Sequence, residues 1–289
     1  MQATGFGFTM PVYTIVHLLT SRTAAGPRSP ALSEAIRISD LNMVRVLPAA
    51  IFFGYIIPTI LMVMPMPWNE LHQWLGGLWQ GFPVSVVLIQ YLLASKRRRR
   101  DAEASLPHHP PASAHDSTGA REMSALLRVY SLSFAVSAIS HWATIAVLVS
   151  RWLLPSWFPP HLCDCLPFSK VFMPPLFWVP GTMVSMAEGI HNFFQYDLYV
   201  GAVASFVWVT ALNVNTFGPP RSWRWWLSAF EQIVAQSVVA GPGGALVSLL
   251  VPAARSCRCC GAATSWCLGD NDYSTVDRHL NFPLYAVQG

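Results

Sequence analysis

The sequence has little charge. Only 11% of its 289 residues are Asp, Glu, Lys or Arg, against the roughly 25% that is typical of soluble domains. Hydrophobic residues make up 53% of the chain, and its mean hydropathy is +0.40. This composition excludes an ordinary soluble domain and indicates an integral membrane protein.

The chain also lacks the short motifs of several large enzyme classes. It contains no GxSxG elbow, no Walker loop, no HExxH pair and no GxGxxG turn, so hydrolase, ATPase and nicotinamide-enzyme functions have no support. A DDxxD or NDxxD run for a magnesium-bound diphosphate is missing too. Ionisation of a prenyl diphosphate is therefore disfavoured as a first step, and we predict no cofactor and no metal.

The basic residues that are present include one dense run. Lys96 and the four arginines at 97–100 directly follow an apolar segment. By the positive-inside rule this run lies on the cytoplasmic side, together with residues 21–45. Because topology explains the run, no nucleic-acid partner is predicted.

Apolar segments predict an all-α fold, a polytopic transmembrane helical bundle of about six segments. The segments are residues 3–20, 43–64, 76–94, 126–150, 198–214 and 229–252. Residues 171–187 are Pro-rich and could form a re-entrant segment or a further span. The GPGG sequence at 241–244 predicts a break in the last segment.

The segments define one membrane domain and one tail. Residues 1–255 form the transmembrane helical domain, with a disordered cytoplasmic loop at 95–124, and residues 256–289 form a polar C-terminal tail. Three histidines of that loop, His108, His109 and His115, could bind a metal, but the Pro-rich and Ala-rich composition favours solvated disorder. No cleavable signal peptide is expected, because residues 1–19 lack a basic leading region.

Residues 185–200, SMAEGIHNFFQYDLYV, carry polar side chains that are costly near hydrocarbon. If this stretch is helical, one sector of roughly 100° contains Glu188, His191, Asn192 and Gln195. Asp197 points nearly opposite. The stretch could be an ordinary capping network at the membrane boundary, or it could be a functional site.

As a site, the cluster favours acid-initiated chemistry on an apolar substrate. A carboxyl group kept uncharged by apolar surroundings can act as a general acid, and Glu188 and Asp197 are the candidates. His191 could take the final proton, and aromatic faces stabilise carbocations. Candidate substrate-binding residues are Asn192, Phe193, Phe194, Gln195, Tyr196 and His141. For His141, within the fourth segment, a purely structural hydrogen bond is the alternative.

Four blocks of the sequence carry a resemblance to a known family. They are TGFGFTMPVYTIVHLLTS (4–21), GYIIPTILMVMP (54–65), HQWLGGLWQGFPV (72–84) and EGIHNFFQYDLYVG (188–201). Over residues 4–212 the chain resembles fungal integral membrane terpene cyclase-like proteins of indole-diterpenoid and meroterpenoid biosynthetic gene clusters.

The resemblance implies a membrane-bound terpene cyclase of an endoplasmic-reticulum-type membrane. Such an enzyme would protonate a terminal olefin or epoxide of a prenylated intermediate without a metal. Glu188 would be the acid, with His191 and Asp197 as partners or Asp197 as the alternative acid. The implied partners are a hydrophobic prenylated small molecule, the lipid bilayer and neighbouring biosynthetic enzymes.

Two other functions remain open from the sequence. A small membrane transporter would also have proline-broken helices and inward polar groups. No internal repeat is visible between the two halves of the chain, which disfavours a carrier built from repeats. A non-catalytic scaffold of a biosynthetic cluster is the third possibility.

Overall fold

The computed structural model describes residues 5–21, 38–64, 68–104, 114–159, 166–176, 178, 185–217 and 222–262. Within these ranges the secondary structure is helical, with no strand. The predicted all-α fold is therefore confirmed.

The helices follow one another in a simple order. They are α1 Phe6–Thr20, α2 Leu41–Ile51, α3 Ile57–Val63, α4 Asn69–Gln80, α5 Phe82–Ala104, α6 Ala114–Leu153, α7 Phe168–Phe172, α8 Met186–Phe217 and α9 Trp223–Ala262. A π-helical turn, Phe52–Ile56, joins α2 and α3 into one continuous helix. A 3₁₀ turn, Pro155–Trp157, follows α6.

Four described stretches are long and apolar enough to cross a membrane. They are Leu41–Val63, Arg121–Leu153, Glu188–Asn215 and Trp223–Val251. The bent pair α4 and α5 makes a fifth if it is counted as one span, and α1 is a shorter apolar helix of 15 residues. The prediction of about six segments holds approximately.

The helices contact one another through small side chains. Ala50, Ala94, Ala240 and Ala245 are fully buried, whereas many large apolar side chains are exposed, among them Leu19 at 81%. Membrane helices pack in this way, because small residues let backbones approach and large apolar ones face lipid. The main pairings are α1 with α8, α6 with α9 and α2 with α5.

The third predicted segment, residues 76–94, differs from the structure. Helix α4 begins at Asn69, inside the predicted connection, and a bend of 63° separates it from α5. Pro83 lies in the first turn of α5, where its missing N–H breaks no helical hydrogen bond. A proline after Gly81 therefore divides one continuous apolar run into two helices.

Helix also extends into the connection at 95–124, which was predicted to be disordered. Helix α5 continues to Ala104 and α6 begins at Ala114, so only residues 105–113, with His108 and His109, lie outside the described residues. Near the end of α5, Asp101 accepts a hydrogen bond from the Asn42 side chain at 3.3 Å, which ties α5 to the start of α2. Helix α9 likewise continues to Ala262, and the rest of the predicted tail is not described.

One end of the bundle carries the basic run. Asp40 caps α2 by accepting the Asn42 N–H at 3.0 Å and forms an ion pair with Arg98. Burial alone would raise the pKa of Asp40. The hydrogen bond and the charge of Arg98, together with the Asn42 N–H, outweigh burial, so the pKa of Asp40 lies below its usual value. The start of α2 and the basic run therefore lie at the same end of the molecule, as the charge pattern predicted.

Candidate active site on helix α8

The polar stretch forms the first turns of α8. Ser185 precedes the helix, and its Oγ accepts the Glu188 N–H at 3.2 Å. Ser185 and Glu188 have the Ser-x-x-Glu spacing of a capping box. This spacing could have been recognised in the sequence; the bond that the structure shows uses the backbone N–H of Glu188.

His191 and Gln195 lie on the same face of α8. Nε2 of His191 is 2.9 Å from the Lys170 carbonyl oxygen. Gln195 Nε2 donates to the same oxygen at 2.7 Å and to the Val171 carbonyl at 2.8 Å. The prediction that these two side chains share one sector of the helix is confirmed.

Residues 168–176, called the strap below, lie along this face of α8. The strap comprises α7 and the extended residues that follow it. Besides the bonds to His191 and Gln195, the Tyr199 hydroxyl donates to the Phe172 carbonyl and the Tyr196 hydroxyl to the Pro175 carbonyl. The Lys170, Val171 and Phe172 carbonyls lie in the last turn of α7, where a helix leaves them unpaired, and the Pro175 carbonyl lies in the extended residues. Whether residues 171–187 form a re-entrant segment or a span is not decided, because residues 177 and 179–184 lie outside the described residues.

The opposite face of α8 holds α1. The two oxygens of Asp197 accept the N–H groups of Phe6, at 2.8 Å, and Gly7, at 2.6 Å. The first N–H groups of a helix have no partner within the helix, and a carboxylate also suits the positive end of the helix dipole. Asp197 therefore caps α1 from a neighbouring helix, on the side that the helical periodicity predicted.

Glycines allow α1 and α8 to approach. A Cβ added to Gly201 would lie 2.1 Å from the Phe6 ring, and one added to Gly7 would lie 2.9 Å from the Asp197 backbone oxygen. Gly5 has φ 77°, a conformation that favours glycine. The GFG sequence of α1 is thus explained by packing, which the sequence analysis did not anticipate.

Glu188 and Asp197 are too far apart to act on one atom. Nine residues of helix separate them, which is about 13 Å along the axis, and they face opposite neighbours. The side chain of Glu188 is exposed, as are Phe193 (56%) and Phe194 (61%). The predicted enclosure of the acid by aromatic rings is not supplied by the described residues, because these rings point outward.

The hydrogen bond of His191 fixes its tautomer. A carbonyl oxygen only accepts, so Nε2 carries the proton, and in the neutral ring Nδ1 is an acceptor. Tautomers are assigned from such networks. Nδ1 of His191 can therefore receive a proton on the face that also carries Glu188 and Gln195.

His141 belongs to a different contact. Helix α9 is kinked at Gly241, with φ 72°, and Pro242 has no N–H to continue the helical bonds. Three side chains of α6 bond the freed carbonyls: Ser137 to Ala240 at 2.9 Å, His141 to Val238 at 2.9 Å and Trp142 to Val239 at 2.8 Å. The predicted break is confirmed, and the structural alternative for His141 fits these bonds.

The His141 ring also reaches the edge of the strap, with its centroid 6.5 Å from that of Phe172. A substrate-binding role for His141 therefore stays a prediction. Sequence reasoning did not identify its neighbours Ser137 and Trp142. The GPGG break was a usable signal, because it requires donors on an adjacent helix.

Comparison with known proteins gives a family and named relatives. A family model described as CtvD domain matches residues 1–252. The relatives include terpene cyclase ascI of Acremonium egyptiacum, 27% identical over 85% of this chain and 58% of its own length. Terpene cyclase verU1 of Penicillium polonicum is 26% identical over 85% and 59%, and terpene cyclase atmA of Aspergillus flavus is 26% identical over 72% and 52%.

The chain thus spans between half and three fifths of the length of these relatives. No solved structure matches it. The family match, however, includes every described helix up to residue 252, with both faces of α8. On that match, this chain belongs to the CtvD domain family.

Proposed function

We propose that this chain is a membrane-bound terpene cyclase of secondary metabolite biosynthesis. It would start carbocation cyclisation by protonating a terminal olefin or epoxide of a prenylated, meroterpenoid or indole-diterpenoid, intermediate. The observation that carries the proposal is the row of Glu188, His191 and Gln195 on one face of a helix long and apolar enough to span a membrane. The printed names of the relatives support the same class.

In this mechanism Glu188 is the general acid. Its proton forms a new C–H bond with the terminal olefin while the π bond breaks, which leaves a cation on the adjacent carbon; with an epoxide, an O–H bond forms and a C–O bond breaks. Ring closure moves the cation along the chain. Positioned acids of this kind contribute about 10²–10⁴-fold to rate.

His191 then acts as the base, and its proton returns to Glu188 before the next turnover. Its Nδ1 removes a proton from the carbon next to the final cation, and a double bond forms. Product and substrate therefore have the same mass. The candidate aromatic face for the intermediate cations is that of Phe194, worth about 0.5–2 kcal/mol. The predicted Phe193 ring lies 5.8 Å from it but turns toward Gly5 at the start of α1. The half-buried Asn192 and Tyr196 would line the same region.

Asp197 is the alternative acid, but its contacts favour a positioning role. Both of its oxygens already accept N–H groups of α1. We therefore assign Asp197 to holding α1 against α8. The protein would act in an endoplasmic-reticulum-type membrane beside other enzymes of its pathway.

The test is a conversion assay with microsomes that express the full chain. A linear prenylated phenol, or its terminal epoxide, should give a cyclic isomer of unchanged mass. Glu188→Gln should abolish the product, and because Gln also serves in a capping box, the start of α8 should survive. Glu103→Gln, at an exposed carboxylate of α5, is the matched control and should leave activity unchanged.

Three results would contradict parts of the proposal. No product from the wild-type chain would remove the cyclase function. Product lost in Asp197→Asn but retained in Glu188→Gln would move the acid to Asp197. Labelled substrate that crosses sealed vesicles unaltered would support the transporter instead, the function that the break in α9 allows.

A further inference from the structure

Gln195 is a buried polar residue inside a candidate membrane span. Its side chain is only 7% exposed. The side-chain nitrogen donates both of its hydrogens to the strap, to the carbonyls of Lys170 and Val171. The orientation of the amide is therefore fixed, since the reverse orientation would set its oxygen against two carbonyl oxygens.

The amide oxygen of Gln195 has no such partner. Oε1 is buried and accepts no hydrogen bond from any residue in the described ranges. A buried acceptor without a donor carries a free-energy penalty, and native structures seldom retain one without a reason. A donor supplied from outside the chain would remove that penalty.

The chemistry of the surroundings limits what that donor can be. A buried water needs roughly two to four polar partners, and the nearby Lys170 carbonyl already accepts from both His191 and Gln195. A cationic donor would be costly to bury beside a neutral amide. A neutral O–H group on a ligand that is held by apolar contacts elsewhere needs only this one acceptor.

We propose that Gln195 Oε1 binds a hydroxyl group of the substrate, and that Gln195 thereby selects hydroxylated prenyl compounds. The prenyl part of this proposal rests on the proposed function. Gln195 follows Glu188 by seven residues on the same face, about 10 Å along the helix axis. A substrate anchored by its hydroxyl at Gln195 would extend its prenyl chain toward Glu188, which gives the two residues separate tasks.

Binding without turnover tests the proposal. The full chain in lipid nanodiscs would be loaded with tritiated 2-farnesylphenol, and competitors would be the unlabelled phenol, its O-methyl ether and farnesylbenzene. The wild-type chain should bind the phenol about fivefold more tightly than either compound without an O–H, the value for one neutral hydrogen bond. In Gln195→Leu this preference should disappear.

Tyr199→Phe is the matched control. It removes one strap hydrogen bond but leaves the Gln195 amide in place, so the preference should remain. Equal affinities in the wild-type chain would overturn the proposal. A preference that survives in Gln195→Leu would overturn it too, and equal wild-type affinities would do so even if that variant does not fold.

The two proposals fail separately. A wild-type preference for the phenol, without any cyclic product in the conversion assay, would remove the cyclase function and retain this binding site. Cyclic product without a preference would remove this site and retain the cyclase.

Discussion

The two faces of α8 use polar residues in opposite ways. Toward α1, both oxygens of Asp197 are bonded and Gly201 has no side chain, so the contact is closed. Toward the strap, Glu188 is exposed and Gln195 retains a buried acceptor. A polar residue in a membrane helix is therefore weak evidence of function by itself. The stronger evidence is a buried acceptor such as Gln195 Oε1, to which the described residues donate no hydrogen bond.

The largest expected effect is a loss of cyclisation after substitution on the strap face of α8. Glu188→Gln should lower cyclisation by at least about 100-fold, since it removes the proton donor, with little change in unfolding temperature. Turnover and thermal unfolding would be measured on the same purified sample. A variant that loses activity only in proportion to its folded fraction would make Glu188 a capping residue alone.

On the α1 face, Gly201→Ala should act on stability. The added methyl group collides with the Phe6 ring, and overpacking of this kind costs about 1–3 kcal/mol. Gly76→Ala is the control, because its Cβ would meet nothing within 4 Å and alanine favours helix by about 1 kcal/mol. Thermal unfolding in detergent should move in opposite directions for the two variants. Equal shifts would argue against the close α1–α8 contact.

The α6–α9 contact provides a third case. Here the polar side chains of Ser137, His141 and Trp142 all bond backbone carbonyls of α9. His141→Leu would leave the Val238 carbonyl without its donor, at a cost of about 1–3 kcal/mol. Activity per folded molecule should be retained, as measured by turnover normalised to the folded fraction. A loss of turnover at unchanged stability would support the predicted substrate-binding role of His141.

Asp197 should affect stability by a smaller amount. Asp197→Ala removes the cap of α1, and lost caps cost about 0.5–2 kcal/mol. Asp197→Asn keeps one acceptor oxygen and should cost less. Unfolding of the two variants would be compared with the wild type. The assignment fails if Asn and Ala destabilise equally or if neither has an effect.

The smallest effect concerns pH. The folded pKa of Asp40 lies below its ordinary value, so its interaction with Arg98 stabilises the protein above the unfolded pKa of about 3.9. That contribution is lost as pH falls through the lower folded pKa. Arg98→Gln should reduce stability at neutral pH by at most about 1 kcal/mol and flatten the acid limb of the stability curve. An unchanged acid limb would contradict the role given to Arg98.

Helical periodicity predicted which α8 residues share a face, because side-chain direction depends on spacing alone. It did not predict the strap, since the groups that His191 and Tyr199 bind are backbone carbonyls 21 and 27 residues upstream, and side-chain patterns say little about backbone carbonyls. The bend at Gly81 was missed because residues 76–94 contain no charged residue, which favours a single span, although Gly81 and Pro83 lie within them. The exposure of Glu188 depends on which way neighbouring rings turn, and spacing does not determine that.

The central claim is that a proton from α8 starts the reaction, and solvent deuterium tests it most directly. Protein exchanged into D₂O would be given the linear olefin substrate. We predict a cyclic product with one deuterium on carbon that does not wash out in H₂O, formed by the wild-type chain and not by Glu188→Gln. A cyclic product without carbon-bound deuterium, or one formed equally by the variant, would contradict the account.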